Sequence, residues 1–172
     1  MNNSNFNKFN KKIFFKKILK MSITLKSNDN KTFSLPENAC KKSAYLQKLI
    51  KEGKSPIALD EIKGEVLEKI VEYLKYYSDK DFPNIPEVLK SNDLKSEIGD
   101  WDFNFINPLS YEICFHLINA GSLLELNHLY ELACAKIAAF MKDKTPEEVN
   151  KEFTIECQLT QEEAKELGLD SS

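Results

Sequence analysis

Apolar and polar residues alternate over 22–26, with Ile23 and Leu25 on one side, which is the period of a half-buried strand. Asn28, Asp29 and Asn30 supply turn chemistry, and residues 32–35 read as a second strand, so a hairpin is predicted. The period then lengthens. Over 36–52, Tyr45, Leu46, Leu49 and Ile50 recur at helical spacing, and Gly53 stops the stretch. Residues 56–59 are short and apolar and read as a third strand. Val66, Leu67, Ile70, Val71 and Leu74 mark an amphipathic helix over 65–77. Over 78–100 the pattern breaks. Pro83 and Pro86 sit among alternating charges, which reads as a long charged loop or partly disordered insert. Apolar residues return at Trp101, Phe103 and Phe105, and helices are predicted over 109–120, 126–141 and 146–153. A small sheet flanked by helices, followed by a helical extension, is an α+β arrangement.

The last of these helices opens in the stretch KDKTPEEVNKEFTI. Thr145 is placed to cap it, Pro146 suits its first turn, and Glu148 follows Thr145 at the capping-box spacing. Val149 and Phe153 are four residues apart and share a face. A helix this short is not stable alone, so that face must rest on this domain's core or on another protein. Farther on, Thr160 and Glu163 repeat the spacing and Gly168 ends a predicted tail helix over 161–167.

Composition narrows the function classes. The chain has 172 residues, 42% hydrophobic and 30% charged, enough for one domain with a substantial core. No apolar run approaches the ~20 residues that span a bilayer, so no membrane partner is expected. All 24 basic residues are lysines, and the net charge is -3. Without arginine or a basic footprint, nucleic-acid binding is not expected. Six lysines and no acid fall in residues 1–20, leaving 18 basic against 27 acidic residues elsewhere. That leading stretch lacks arginine and a small-residue cleavage site, so it fits a presequence or a membrane-surface helix poorly. It is read as a disordered extension, or as sequence ahead of a start at Met21.

Chemistry is sparse. Cys40, Cys114, Cys134 and Cys157 are far apart in sequence, as in reduced thiols of the cytoplasm or nucleus. Cys114 and His116 are two apart on a predicted helix and diverge, so no metal site is expected. The five glycines form no phosphate-cradling loop, so no nucleotide cofactor is expected. His116 and His128 fall on helices with no nucleophile nearby in sequence. Nothing assembles a nucleophile, base or metal, so the chain is read as non-catalytic.

The order of features is more specific than any one of them. SITLKSNDNKTFSL opens the series, LQKLIKEG ends a helix, VLEKIVEYLKYYSDKD comes next, and WDFNF succeeds the charged insert. LACAKIAAFMKDKTPEEVNKEFTI closes it. This resembles the Skp-type adaptor subunits of Skp–cullin–F-box (SCF) ubiquitin ligases, relatives of elongin C with the BTB/POZ fold. The resemblance runs over about 21–164. It implies a BTB/POZ-like domain over 21–126 and a C-terminal helical, F-box-binding extension over 127–172. It also implies a non-catalytic adaptor of the cytoplasm and nucleus, holding F-box substrate receptors on a cullin without any cofactor. Carried over residue by residue, the implied F-box contacts are Phe115, Ile118, Ile137, Phe140, Met141, Pro146, Val149, Phe153 and Ile155. Pro146 is also the implied modification site, matching a proline that some protist relatives hydroxylate and glycosylate. Weak homodimers are implied when no F-box fills the groove.

Two departures accompany the likeness. The family carries an asparagine and an aromatic residue at the implied cullin contact, where this chain has Ser122 and Leu123. The tail also lacks the tryptophan that relatives use to clamp the F-box. An alternative therefore stands beside the adaptor: a divergent Skp-like paralogue in a structural or regulatory role, binding F-box-like partners without a cullin.

Overall fold

The computed structural model describes residues 22–86, 88–91, 93–142 and 144–153. Expectations for residues 1–20, for Ile155 and for the tail helix over 161–167 lie outside the described residues. The chain divides into two compact units, Met1–Phe140 and Met141–Ser172. The sequence placed a boundary after residue 126 instead.

In the first unit, β1 (Ser22–Ser27) pairs antiparallel with β2 (Thr32–Pro36) and parallel with β3 (Ile57–Leu59), in the order β2-β1-β3. Leu25 and Leu35 lie on the core side and are fully buried, as the alternation requires. The hairpin turn is tied to Gly64, far along the chain. Asp29 accepts hydrogen bonds from the Ser27 hydroxyl at 2.6 Å and the Gly64 amide at 2.8 Å. The Ser27 bond is the main cause of an Asp29 carboxyl acidity above the ordinary. A Cβ on Gly64 would meet the Lys31 side chain and stand 2.8 Å from that carboxylate, so a larger residue there would push these side chains aside.

The predicted helix over 36–52 is interrupted. It forms as α1 (Glu37–Cys40) and α2 (Ala44–Lys51), separated by Lys41, Lys42 and Ser43. The fully buried Ser43 hydroxyl caps α2 by accepting from the Leu46 amide at 3.0 Å, and it donates to the Leu124 carbonyl at 2.5 Å. α3 (Gly64–Tyr76) buries the predicted stripe and Tyr73 as well. Two short helices follow, the first of which departs from the predicted loop over 78–100. These are α4 (Leu94–Ile98), with Leu94 and Ile98 buried, and α5 (Asp100–Ile106), divided from α4 by Gly99 at φ 86°. α6 (Tyr111–Leu123) and α7 (Asn127–Met141) come next. They cross closely, because a Cβ on Gly121 would lie 3.1 Å from the Tyr130 backbone nitrogen. α8 (Pro146–Phe153) lies in the second unit, where the expected capping box forms. The Thr145 amide donates to Glu148 Oε2 at 2.9 Å, and the Glu148 amide to Thr145 Oγ1 at 3.3 Å. Among the described residues no helix is long and apolar enough to cross a membrane.

Candidate functional site

α6 presents two adjacent outer faces. Cys114, Leu117, Ala120 and Gly121 turn inward. Phe115, Ile118 and Ser122 succeed one another at spacings of three and four and share one outer stripe. Phe115 is 37% exposed, Ile118 half-buried and Ser122 exposed. At the far end of α7, the Phe140 ring stands 4.8 Å from Tyr111, and Met141 is 45% exposed.

Lys136 fastens α7 beneath this face. The residue is 8% exposed, and its ammonium donates to the carbonyls of Ile106 at 2.9 Å, Asn107 at 3.0 Å and Leu109. These belong to the end of α5 and the residues after it. A cation at a helix C-terminus meets the negative end of its dipole. Burial holds the amine below its ordinary proton affinity.

Ile137 is 8% exposed and belongs to the buried face of α7 with Leu129, Leu132 and Ala133. It packs this chain's own core, so the outer stripe is narrower than the sequence expectation. Val149 and Phe153 of α8 are both partly exposed, in the second unit. Pro146 opens α8, and Ile155 lies outside the described residues.

The second face of α6 borders a cleft of about 140 Å³. His116, Asn119 and Leu123 line it from α6, Asn28 from the hairpin turn, and Glu61, Lys63 and Val66 from the approach to α3 and its first turn. Its base is apolar, with Ile62 and Val66 buried, and its rim is polar and of mixed charge. The implied cullin pair is thereby divided. Leu123 lines the cleft, whereas Ser122 lies on the exposed stripe with Phe115 and Ile118. Apart from Leu123, the sequence reading singled out none of these cleft residues for partner binding. Turn chemistry marked Asn28, but nothing local joined it to α6. The described residues bring together no group of three or more side chains suited to holding a metal.

Known proteins resemble the chain in two blocks. Residues 21–79 match the Skp1 family tetramerisation domain and residues 127–169 the Skp1 family dimerisation domain. The chain is 31% identical over 147 residues to the S-phase kinase-associated protein 1 homolog of Tetrahymena thermophila, covering 84% of this chain and 89% of that one. It is 32% identical to SKP1-like protein 4 of Arabidopsis thaliana, covering 86% and 92%. It is also 26% identical to the E3 ubiquitin ligase complex SCF subunit sconC of Talaromyces stipitatus, covering 84% and 91%.

Proposed function

This chain belongs to the Skp1 family, and on that premise we propose that it links F-box substrate receptors to a cullin in an SCF-type ubiquitin ligase of the cytoplasm and nucleus. It contributes no catalytic group of its own. Its part is to hold a receptor on a scaffold, so that substrate and a charged ubiquitin-conjugating enzyme come together.

The observation that carries this reading is the pair of outer faces on α6. The stripe of Phe115 and Ile118 offers the apolar anchors that a partner helix needs. The cleft beside Leu123 offers a second surface of different chemistry, an apolar base under a polar rim. An adaptor requires two such surfaces, and one helix supplies both. In this reading Phe140 belongs to the F-box surface, Met141, Val149 and Phe153 offer F-box contacts of the second unit, and Leu123 with Ser122 serves the cullin. Pro146 is the proposed hydroxylation site, and intact-mass analysis of native protein finding only the unmodified mass removes that part.

Affinity purification from the protein's own cells, with mass spectrometry of the partners, tests the whole. The expected result is F-box proteins together with a cullin. Phe115→Asp reduces F-box recovery about tenfold or more, the loss typical of an interface anchor, and leaves the cullin bound. Leu123→Asp does the reverse. F-box proteins recovered without a cullin would favour the structural paralogue, for which the changed Ser122–Leu123 pair speaks.

A further inference from the structure

His128, the second residue of α7, is 6% exposed and enclosed on four sides. From α3, the Tyr73 hydroxyl is hydrogen-bonded with Nδ1, and Tyr77 stands steeply inclined to the imidazole with ring centres 5.7 Å apart. From α5, Asp102 places Oδ2 3.9 Å from Nε2, and both its oxygens accept from the Tyr77 hydroxyl at 2.8 Å. On the remaining side, Phe82 stacks on the imidazole at 4.8 Å and 10°. Lys42 Nζ lies 4.9 Å from the centre of the Phe82 ring. Glu131, on α7 itself, acts on the Tyr73 hydroxyl from a distance. Among the described residues Nε2 has no hydrogen-bond partner.

A buried nitrogen without a partner is costly, and a proton added there is costlier unless the charge reaches water or a carboxylate. The sides of this enclosure differ in what it takes to move them. Tyr73 and Leu74 of α3, and Leu129 and Leu132 of α7, are fully buried, so shifting either helix disrupts the core. Residues 80–85 are no part of a helix or strand, and Lys80, Asp81, Pro83 and Asn84 are exposed. They are tied down by Phe82, which packs on His128, Tyr73 and Tyr77, by the Lys80 ammonium, 3.4 Å from the Tyr76 ring centre, and by the Lys42 ammonium, which donates to the Lys80 carbonyl at 2.5 Å. Just ahead of them, Asn38 donates to Asp79 at 2.9 Å.

We propose that residues 80–85 form a strap that neutral His128 latches and protonated His128 releases, so that this segment opens in mild acid while the helices beneath it stay folded. To join Asp102 in an ion pair, Nε2 must close the 3.9 Å gap by about 1 Å. To be hydrated it must meet solvent. The strap side is where solvent can reach the ring, and there Phe82 must leave the imidazole face and the Pro83 carbonyl must let go of the ring. Burial pushes His128 down to about 4, against the opposing pull of the Pro83 carbonyl. Between that value and the ordinary ~6.5, the open form binds the proton more readily, and each unit of acidification raises its population about tenfold.

Amide hydrogen exchange on the full chain between pH 7 and 5, corrected for intrinsic exchange, tests the strap. Protection of the Lys80 amide, which donates to the Tyr77 carbonyl at 3.3 Å, is expected to fall about tenfold per unit below about pH 6.5, while that of α6 and α7 holds. In His128→Phe, whose ring fills the site without taking a proton, this pH dependence disappears. The proposal is overturned if the strap takes the same course in the variant, or if protection falls throughout the chain at once. Should the variant not fold, the imidazole titration of the unaltered protein by NMR decides. A midpoint near 4 that tracks strap exchange supports the latch, and an ordinary midpoint overturns it.

Discussion

Lys136 and His128 sit eight residues apart on α7 and are shut off from water almost equally, at 8% and 6% exposure. Around Lys136 the chain gathers three carbonyls, those of Ile106, Asn107 and Leu109. Around His128 it gathers aromatic rings, and it leaves Nε2 unpaired among the described residues. Burial costs a charge dearly in both places. The lysine environment compensates through hydrogen bonds, so the charge remains and ties α7 to the end of α5. The histidine environment compensates by keeping the ring neutral. One buried cation thus acts as a permanent tie, and one buried base as a conditional one.

The largest expected effect breaks the permanent tie. Lys136→Met strands three carbonyls and is expected to cost about 3 kcal/mol, read as a lower urea midpoint. A loss below about 1 kcal/mol would mean that water replaces the amine.

Next comes the pH response of the conditional one. His128 has a folded value of about 4 against ~6.5 unfolded, so the unfolded chain takes the proton first. Its contribution to stability is therefore complete above about pH 6.5 and is lost as pH falls toward 4. Asp102 acts the other way. Burial raises its carboxyl despite the Tyr77 hydrogen bond, so the folded form takes that proton first and offsets part of the loss. Between pH 7 and 4, unfolding free energy is expected to fall about 2 kcal/mol more in the unaltered protein than in His128→Phe. Parallel curves for the two proteins would remove His128 from the acid response. The smallest effect sharpens the geometry: Tyr73→Phe removes the hydroxyl on Nδ1 and is expected to cost about 1 kcal/mol at pH 7.

How much of this was legible in the sequence depends on distance along the chain. The α8 capping box was readable because Thr145 and Glu148 are three residues apart, and both hydrogen bonds close locally. The hairpin was readable for the same reason. The break between α1 and α2 was not, because Ser43 answers to Leu124, 81 residues away. α5 was read as a return of apolar residues but not as a helix. Its N-cap residue Gly99 offers no side-chain cap, and its C-terminal carbonyls are satisfied by the distant Lys136. At the candidate site, Phe115, Ile118 and Ile137 were named through the family resemblance alone, and Ile137 is core while Phe115 and Ile118 lie on the outer stripe. Periodicity marks an apolar face without saying whether the chain or a partner covers it. The cleft lay beyond any local pattern, since it joins Asn28, Glu61, Lys63 and α6.

The close crossing at Gly121 has a consequence for how such a protein can change over time. A methyl group there would meet the Tyr130 backbone at 3.1–3.2 Å, so the spacing of α6 and α7 leaves almost no margin. One residue later, Ser122 faces open solvent. Neighbouring positions thus face opposite degrees of freedom. Surface letters such as Ser122 can be rewritten to suit a new partner while the rigid hinge point beside them keeps both outer faces of α6 correctly aimed. Divergence in binding and constancy in fold can then proceed side by side within two adjacent codons.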